Sequence, residues 1–259
     1  MRVPSPLSRL SRHLCPLFVL FGAAPSLAQT PEQVQDLGPR DGQLSLEYIG
    51  QFAGHNGSED GRQHSGESYY AISDTLVIGG ETQLSHRAGP AVNRDGWFFD
   101  YDSAIVMLRF GDPERALATG VWLQAGLDAD GELARLETRF IAERKTDRVW
   151  LQGNAMVRRV NEEEEEGTYA AYSGRASFAV AENVWLGAEA SGQAFRISGF
   201  EEEPFERAHY AGPSAIVELD LGGVEAQLGA SYLMRLDETR RGEGLRDTLQ
   251  LSGGIRIPL

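Results

Sequence analysis

Past residue 28 the chain holds four histidines, His55, His64, His86 and His209, the side chains best placed in pKa to move protons or bind a metal near neutral pH. Ser65 follows His64 and Ser85 precedes His86, so two hydroxyls adjoin possible bases. In an extended segment neighbouring side chains point to opposite faces, and Ser85 and His86 cannot pair directly. Ser65 falls in the polar stretch 53–67, which reads as a loop. No G-x-S-x-G elbow and no H-E-x-x-H motif occurs. With Glu59 or Asp60, the residues His55, His64 and His86 make a weak candidate set for a borderline divalent ion, without the tight spacing of a zinc site. A rim enzyme or metal binder built on loop histidines is therefore an alternative reading, and no pattern calls for a cofactor.

Charge carries more information. The chain has 38 acidic residues against 24 Lys and Arg, for a net charge of −14, and Lys145 is its sole lysine. Such a chain is a poor match for nucleic acid, whose phosphates need a basic surface. Two acidic runs, Glu162, Glu163, Glu164, Glu165 and Glu166, and then Glu201, Glu202 and Glu203, lie in successive polar connectors. They predict an acidic outer patch, solvated or bridged by divalent cations to an anionic partner. Other charges recur singly inside alternating segments. These are Glu47, Glu81, Arg135, Glu137, Arg139, Arg158, Arg175, Glu189, Glu218, Glu225, Arg235, Arg246 and Arg256.

The elements that must position these charges are strands. In 76–85, Leu76, Ile78, Thr82 and Leu84 alternate with Val77, Gly79, Glu81, Gln83 and Ser85, a period of two. The same layout, strand, short polar turn, strand, recurs at 105–126, 138–160, 176–194 and 217–236. Twelve strands follow, near 43–52, 68–73, 75–86, 97–110, 115–127, 133–144, 148–160, 168–181, 184–199, 209–221, 224–236 and 245–259. Five short turns alternate with six longer polar connectors, so short turns gather at one end and long loops at the other. An even strand count puts both termini at the short-turn end. No helical period of useful length appears.

The N-terminus reads as a secretory signal peptide over 1–28: Arg2, Arg9 and Arg12, then the apolar run 14–24, then small residues at Ser26 and Ala28. The single cysteine, Cys15, lies inside it, so the exported chain has no disulfide framework. Residues 29–42, with Pro31, Gly38 and Pro39, read as a short leader before a single domain over 43–259.

The last segment alternates to the final residue: Leu245, Leu249, Leu251, Ile255, Ile257 and Leu259 on one face, Arg246, Thr248, Gln250, Ser252 and Arg256 on the other. With the hairpin pattern and the export signal, the chain resembles the bacterial outer-membrane β-barrel superfamily over its whole length after the signal peptide. It departs at the tip, where Leu259 follows Pro258 and no terminal aromatic stands. The resemblance implies an all-β, closed antiparallel up-and-down transmembrane barrel. It also implies outer-membrane lipid, lipopolysaccharide and the barrel-assembly machinery as partners. Apolar residues would then face lipid and the single charges the lumen. The acids expected inside also include Asp102 and Asp220. Tyr48, Trp97, Phe99, Tyr101, Trp150, Tyr172, Trp185, Tyr210 and Tyr232 are candidates for interfacial girdles, and Ala188, Ala190, Gly192 and Ala194 for a thin outer face. Balanced Arg and carboxylate predict a narrow mixed-charge lumen, serving passive passage of small solutes or a structural role in the envelope. A soluble β-sandwich that binds ligand is the remaining alternative, because alternation alone does not say which face is wet.

Overall fold

The computed structural model describes residues 33–54, 60–88, 96–111, 117–162, 165–199, 208–236 and 247–259. The signal peptide, His55, Glu59, Glu163, Glu164, Glu201, Glu202, Glu203, Leu245 and Arg246 lie outside them, and the side chains of Asp60, Glu162, Glu165 and Glu166 are likewise not described. Twelve strands are present: β1 (Gln43–Gly54), β2 (Asp60–Ala71), β3 (Leu76–Ala88), β4 (Gly96–Phe110), β5 (Ala118–Leu127), β6 (Leu133–Lys145), β7 (Val149–Glu162), β8 (Glu165–Ala181), β9 (Val184–Gly199), β10 (His209–Asp220), β11 (Glu225–Arg235) and β12 (Asp247–Pro258). Each pairs antiparallel with its sequence neighbours, and β1 closes on β12 from Gln43↔Pro258 to Gly54↔Asp247. Closure leaves no free sheet edge, so every strand's backbone groups find partners without water.

The alternation resolves into an apolar outside. On β3, Ile78 and Leu84 are exposed while Val77, Glu81, Gln83 and Ser85 are buried. Leu228, Tyr232 and Met234 of β11, and Leu249, Leu251 and Ile255 of β12, are exposed in the same way. A belt of this kind would be an aggregation hazard in water and suits the hydrocarbon of a bilayer. Local turn chemistry sets the short-turn end. Between β10 and β11 the Asp220 carboxylate accepts the Gly222 and Gly223 N–H groups, both at 3.0 Å. Both glycines adopt positive φ, 76° and 98°, which a side chain would resist.

Four expectations need correction. The second strand spans Asp60–Ala71 and not 68–73, so most of the expected 53–67 loop is strand. Its small and polar residues, Gly61, Arg62, Gln63, Ser65 and Gly66, lack the β-branched signal. Pairing with β1 and β3 on both sides holds it extended. β7 and β8 run further into the acidic connector than expected, reaching Glu162 and starting at Glu165, which stand opposite one another. Asp102 faces outward, accepting the Thr82 hydroxyl at 2.5 Å, because it shares the parity of the exposed Ala104, Val106, Leu108 and Phe110 on β4. The inner face is also not uniformly polar. Tyr69, Ala71, Val77, Ile105, Met107, Ala118, Trp122 and Ile141 form an apolar core inside the barrel with Leu37.

Candidate functional site

Leu37 belongs to the leader, and its place in that core shows what fills the lumen. The chain ahead of β1 folds back into the barrel. Val34, Gln35 and Leu37 are buried at 7%, 4% and 7% exposure. Gly38, at φ 71°, helps turn the leader before the chain enters β1. Ahead of that turn the leader is held through its main chain at alternate residues, 33, 35 and 37. The Gln33 carbonyl accepts from Ser173 Oγ at 2.7 Å and Arg139 Nη1 at 3.2 Å. The Asn154 carboxamide takes both main-chain groups of Gln35. Its Oδ1 accepts the N–H at 3.0 Å and its Nδ2 donates to the carbonyl at 3.1 Å. The Leu37 N–H reaches Glu143 at 3.3 Å, and Arg109 donates to the Pro39 carbonyl.

Side chains add a latch. Asp36 and Arg256 form an ion pair at 2.5 Å. Burial pushes the Asp36 carboxyl up, but the Arg256 guanidinium and the Gly38 N–H, at 2.6 Å, outweigh it and hold the group below the usual carboxylate range. The Gln35 amide donates to both oxygens of Glu67, each at 3.2 Å.

Around the leader the lumen charges segregate. Glu47, Glu67 and Glu81 stand directly opposite one another on β1, β2 and β3, forming an inward row of carboxylates. Their hydrogen-bond donors include neutral groups: Ser45 on Glu47, Tyr69 on Glu67, Gln124 and Tyr101 on Glu81. Further round the ring, on β6, Glu137 gathers Arg135 at 2.7 Å and Arg139 and Arg158 at 2.6 Å each. Arg139 also stacks over Trp122, 4.6 Å from the ring centroid. Arg175 bonds Glu189, which also accepts from Ser231 at 2.9 Å. At the short-turn mouth Lys145 pairs with Glu218 at 2.5 Å and lies 4.0 Å from the Trp150 ring centroid. A cavity of about 400 Å³ lies beside the leader, bordered by Arg175, Glu225, Gln250 and Arg256 among others.

The structure thus puts Glu47, Glu81, Arg135, Glu137, Arg139, Arg158, Arg175, Glu189, Glu218, Glu225 and Arg256 on the inner face, with Arg235 on the same face near the long-loop end. The histidines do not join them. His64 sits on β2 rather than in a loop. It faces outward with His86, against Trp97 at centroid distances of 4.9 and 5.0 Å. Tyr48 hydrogen-bonds His64, and Tyr172 bonds His209 at 2.9 Å, also outside. These residues form an aromatic and imidazole belt. Among the described residues no group of three His, Cys, Asp or Glu is placed to hold a metal ion. Of the girdle candidates, Tyr101, Trp150, Trp185 and Tyr210 point inward and are buried, whereas Tyr48, Trp97, Tyr172 and Tyr232 are exposed. Ala194 leaves the thin outer face at a register shift between β8 and β9.

The leader and the inner apolar core are the parts that pattern reading overlooked. One trace of the core was present: Ile105 and Met107 alternate with Val106 and Leu108, so β4 is apolar on both faces. A strand facing lipid on one side needs a second apolar face only if something dry packs inside.

No family model and no curated protein matches the sequence. Solved structures do. The chain is similar in fold to an outer-membrane channel from Pseudomonas putida F1, with TM-score 0.56 at 12% identity over 88% of this chain and 98% of the other. It is similar also to the NanC porin, with TM-score 0.52 at 8% identity over 83% and 100%. The fold is that of the bacterial outer-membrane β-barrels.

Proposed function

We propose that this protein is an outer-membrane channel for small polar solutes, closed at rest by its own N-terminal leader. The observation that carries the reading is the leader seated in the lumen mainly by polar contacts: five side chains bond its main chain and one ion pair latches it. A permanent filling would be expected to rely chiefly on buried apolar side chains; Val34, Leu37 and Pro39 are buried here, but of these only Leu37 joins the inner apolar core. Polar contacts exchange with water and solute at small net cost, so the segment can leave. The apolar belt supports a membrane location, and the two similar structures, named as a channel and a porin, support passage as the general role. A purely structural barrel would need no ordered, latched segment inside it.

The test is planar-bilayer conductance of the full-length protein against a variant carrying Asp36→Lys and Leu37→Asp. These changes oppose Arg256 and put a charge into the apolar core. The wild type should conduct rarely and weakly, and the variant more often and at a larger step. Equal conductance in the two would remove the gate. Absence of current in both, with the barrel intact, would leave a structural protein.

A further inference from the structure

We infer that the lumen is a peptide-binding passage, and that the leader occupies it as a built-in stand-in for an extended peptide in which an acidic residue precedes an aliphatic one. This rests on the channel reading above and names its solute class.

The argument begins with which leader atoms are held. Asn154 takes both the N–H and the carbonyl of Gln35, the pair of contacts a neighbouring β-strand would make. Arg139 and Ser173 take the Gln33 carbonyl, Glu143 the Leu37 N–H and Arg109 the Pro39 carbonyl. The contacts on residues 33, 35 and 37 have the two-residue period of an extended chain read along one edge, and the Pro39 contact follows the turn at Gly38. Every group so read is common to all peptides. None depends on this sequence. A sugar has hydroxyls but cannot present N–H and C=O at that repeat.

Side-chain subsites then set preference, as in other modes of extended-peptide recognition. Arg256 receives the Asp36 carboxylate, in a position where a lysine would be repelled. The next residue enters the apolar pocket of Met107, Ala118, Trp122 and Ile141. Gly120 keeps that pocket open: a Cβ there would stand 2.8 Å from Leu37 Cδ2. Glu67, on β2 beside the same apolar core, takes an N–H donor from the residue before the acid. The cavity of about 400 Å³ alongside gives room for larger side chains.

The experiment uses the full-length Asp36→Lys, Leu37→Asp protein, its fold verified by the electrophoretic shift on boiling. Should this variant lack the shift, Asp36→Asn takes its place. The probes are acetyl-Ala-Ala-Glu-Ile-amide, its Lys counterpart acetyl-Ala-Ala-Lys-Ile-amide, and maltotriose. The acidic peptide should block the current at about tenfold lower concentration than the Lys peptide. Asn154→Ala, added to the same background, should weaken both peptides alike, because it acts on the main chain. Block by the acidic peptide no better than by maltotriose, or equal block by the two peptides, would overturn the inference. If the variant carries no current, the channel reading fails, and calorimetry with the same probes decides this one. Preferential binding of the acidic peptide would sustain a peptide site in a closed barrel. No preference would end it.

Discussion

Glu137 holds three guanidiniums with one carboxylate, and its side chain is wholly buried. An isolated charge there would cost far more than it returns. The arrangement stands because each oxygen meets donors, and Arg139 and Arg158 also lie over the Trp122 and Tyr169 rings. Glu137→Gln keeps the shape and removes the charge, leaving three cations without their shared anion. The expected loss is about 3–5 kcal/mol, read as a lower temperature for collapse of the folded electrophoretic band. Glu137→Asp should recover part of it. An unchanged temperature would mean that water or another carboxylate serves the arginines equally well. Burial alone is a poor guide to such roles. Trp122 is as hidden as Glu137, yet it packs the leader's apolar residue, while Glu137 on the adjoining strand gathers charge.

The leader is the element on which the functional reading turns, and Asp36 gives it a pH signature. Its carboxyl lies below its ordinary 3.8 while docked. A depressed value means that the latch contributes fully above 3.8 and weakens as pH falls through the lowered value. If the protein is the channel proposed above, the wild type should stay quiet from neutral pH down to about pH 4 and open more often only in stronger acid. Bilayer recordings across that range check this. Opening that began near pH 6 would assign control to another group. This element was also the least legible from sequence. Residues 33–39 are too few, and too interrupted by Gly38 and Pro39, to show a period. The groups that receive them are scattered over β2, β4, β6, β7, β8 and β12. The strands were readable where one face met lipid and the other polar groups, as on β3 and β11. Where the inner face is dry, on β4 and β5, local alternation reveals direction but not purpose. On β2 it failed, because Gly, Ser and Gln between two paired neighbours need no β propensity of their own. The same weakness of β2 affects the histidines: His64 reads as loop-borne from the sequence because its strand carries no β signal.

At the scale of the whole molecule, a closed ring of twelve strands has no edge from which detergent can begin to peel it. Unboiled protein in detergent should therefore migrate at a different apparent size from boiled protein. A soluble sandwich would show no such shift and would extract without detergent. The net charge of −14 does not oppose membrane insertion, because the barrel sorts its charge: many acids and bases pair in the lumen, and the belt between carries Leu, Ile, Val and aromatic side chains.

The ion pair that latches the leader joins residues 220 positions apart, and the remaining contacts come from strands on several sides of the ring. No half-built sheet offers that set. The leader can find its seat only after the last strand has arrived and the circle is shut, although it is the first part of the described chain to be made. Assembly then has a fixed order, wall before stopper. On the reading proposed above, a newly inserted copy would stand open for the interval between the two events, and closing it would be the final act of its own biogenesis.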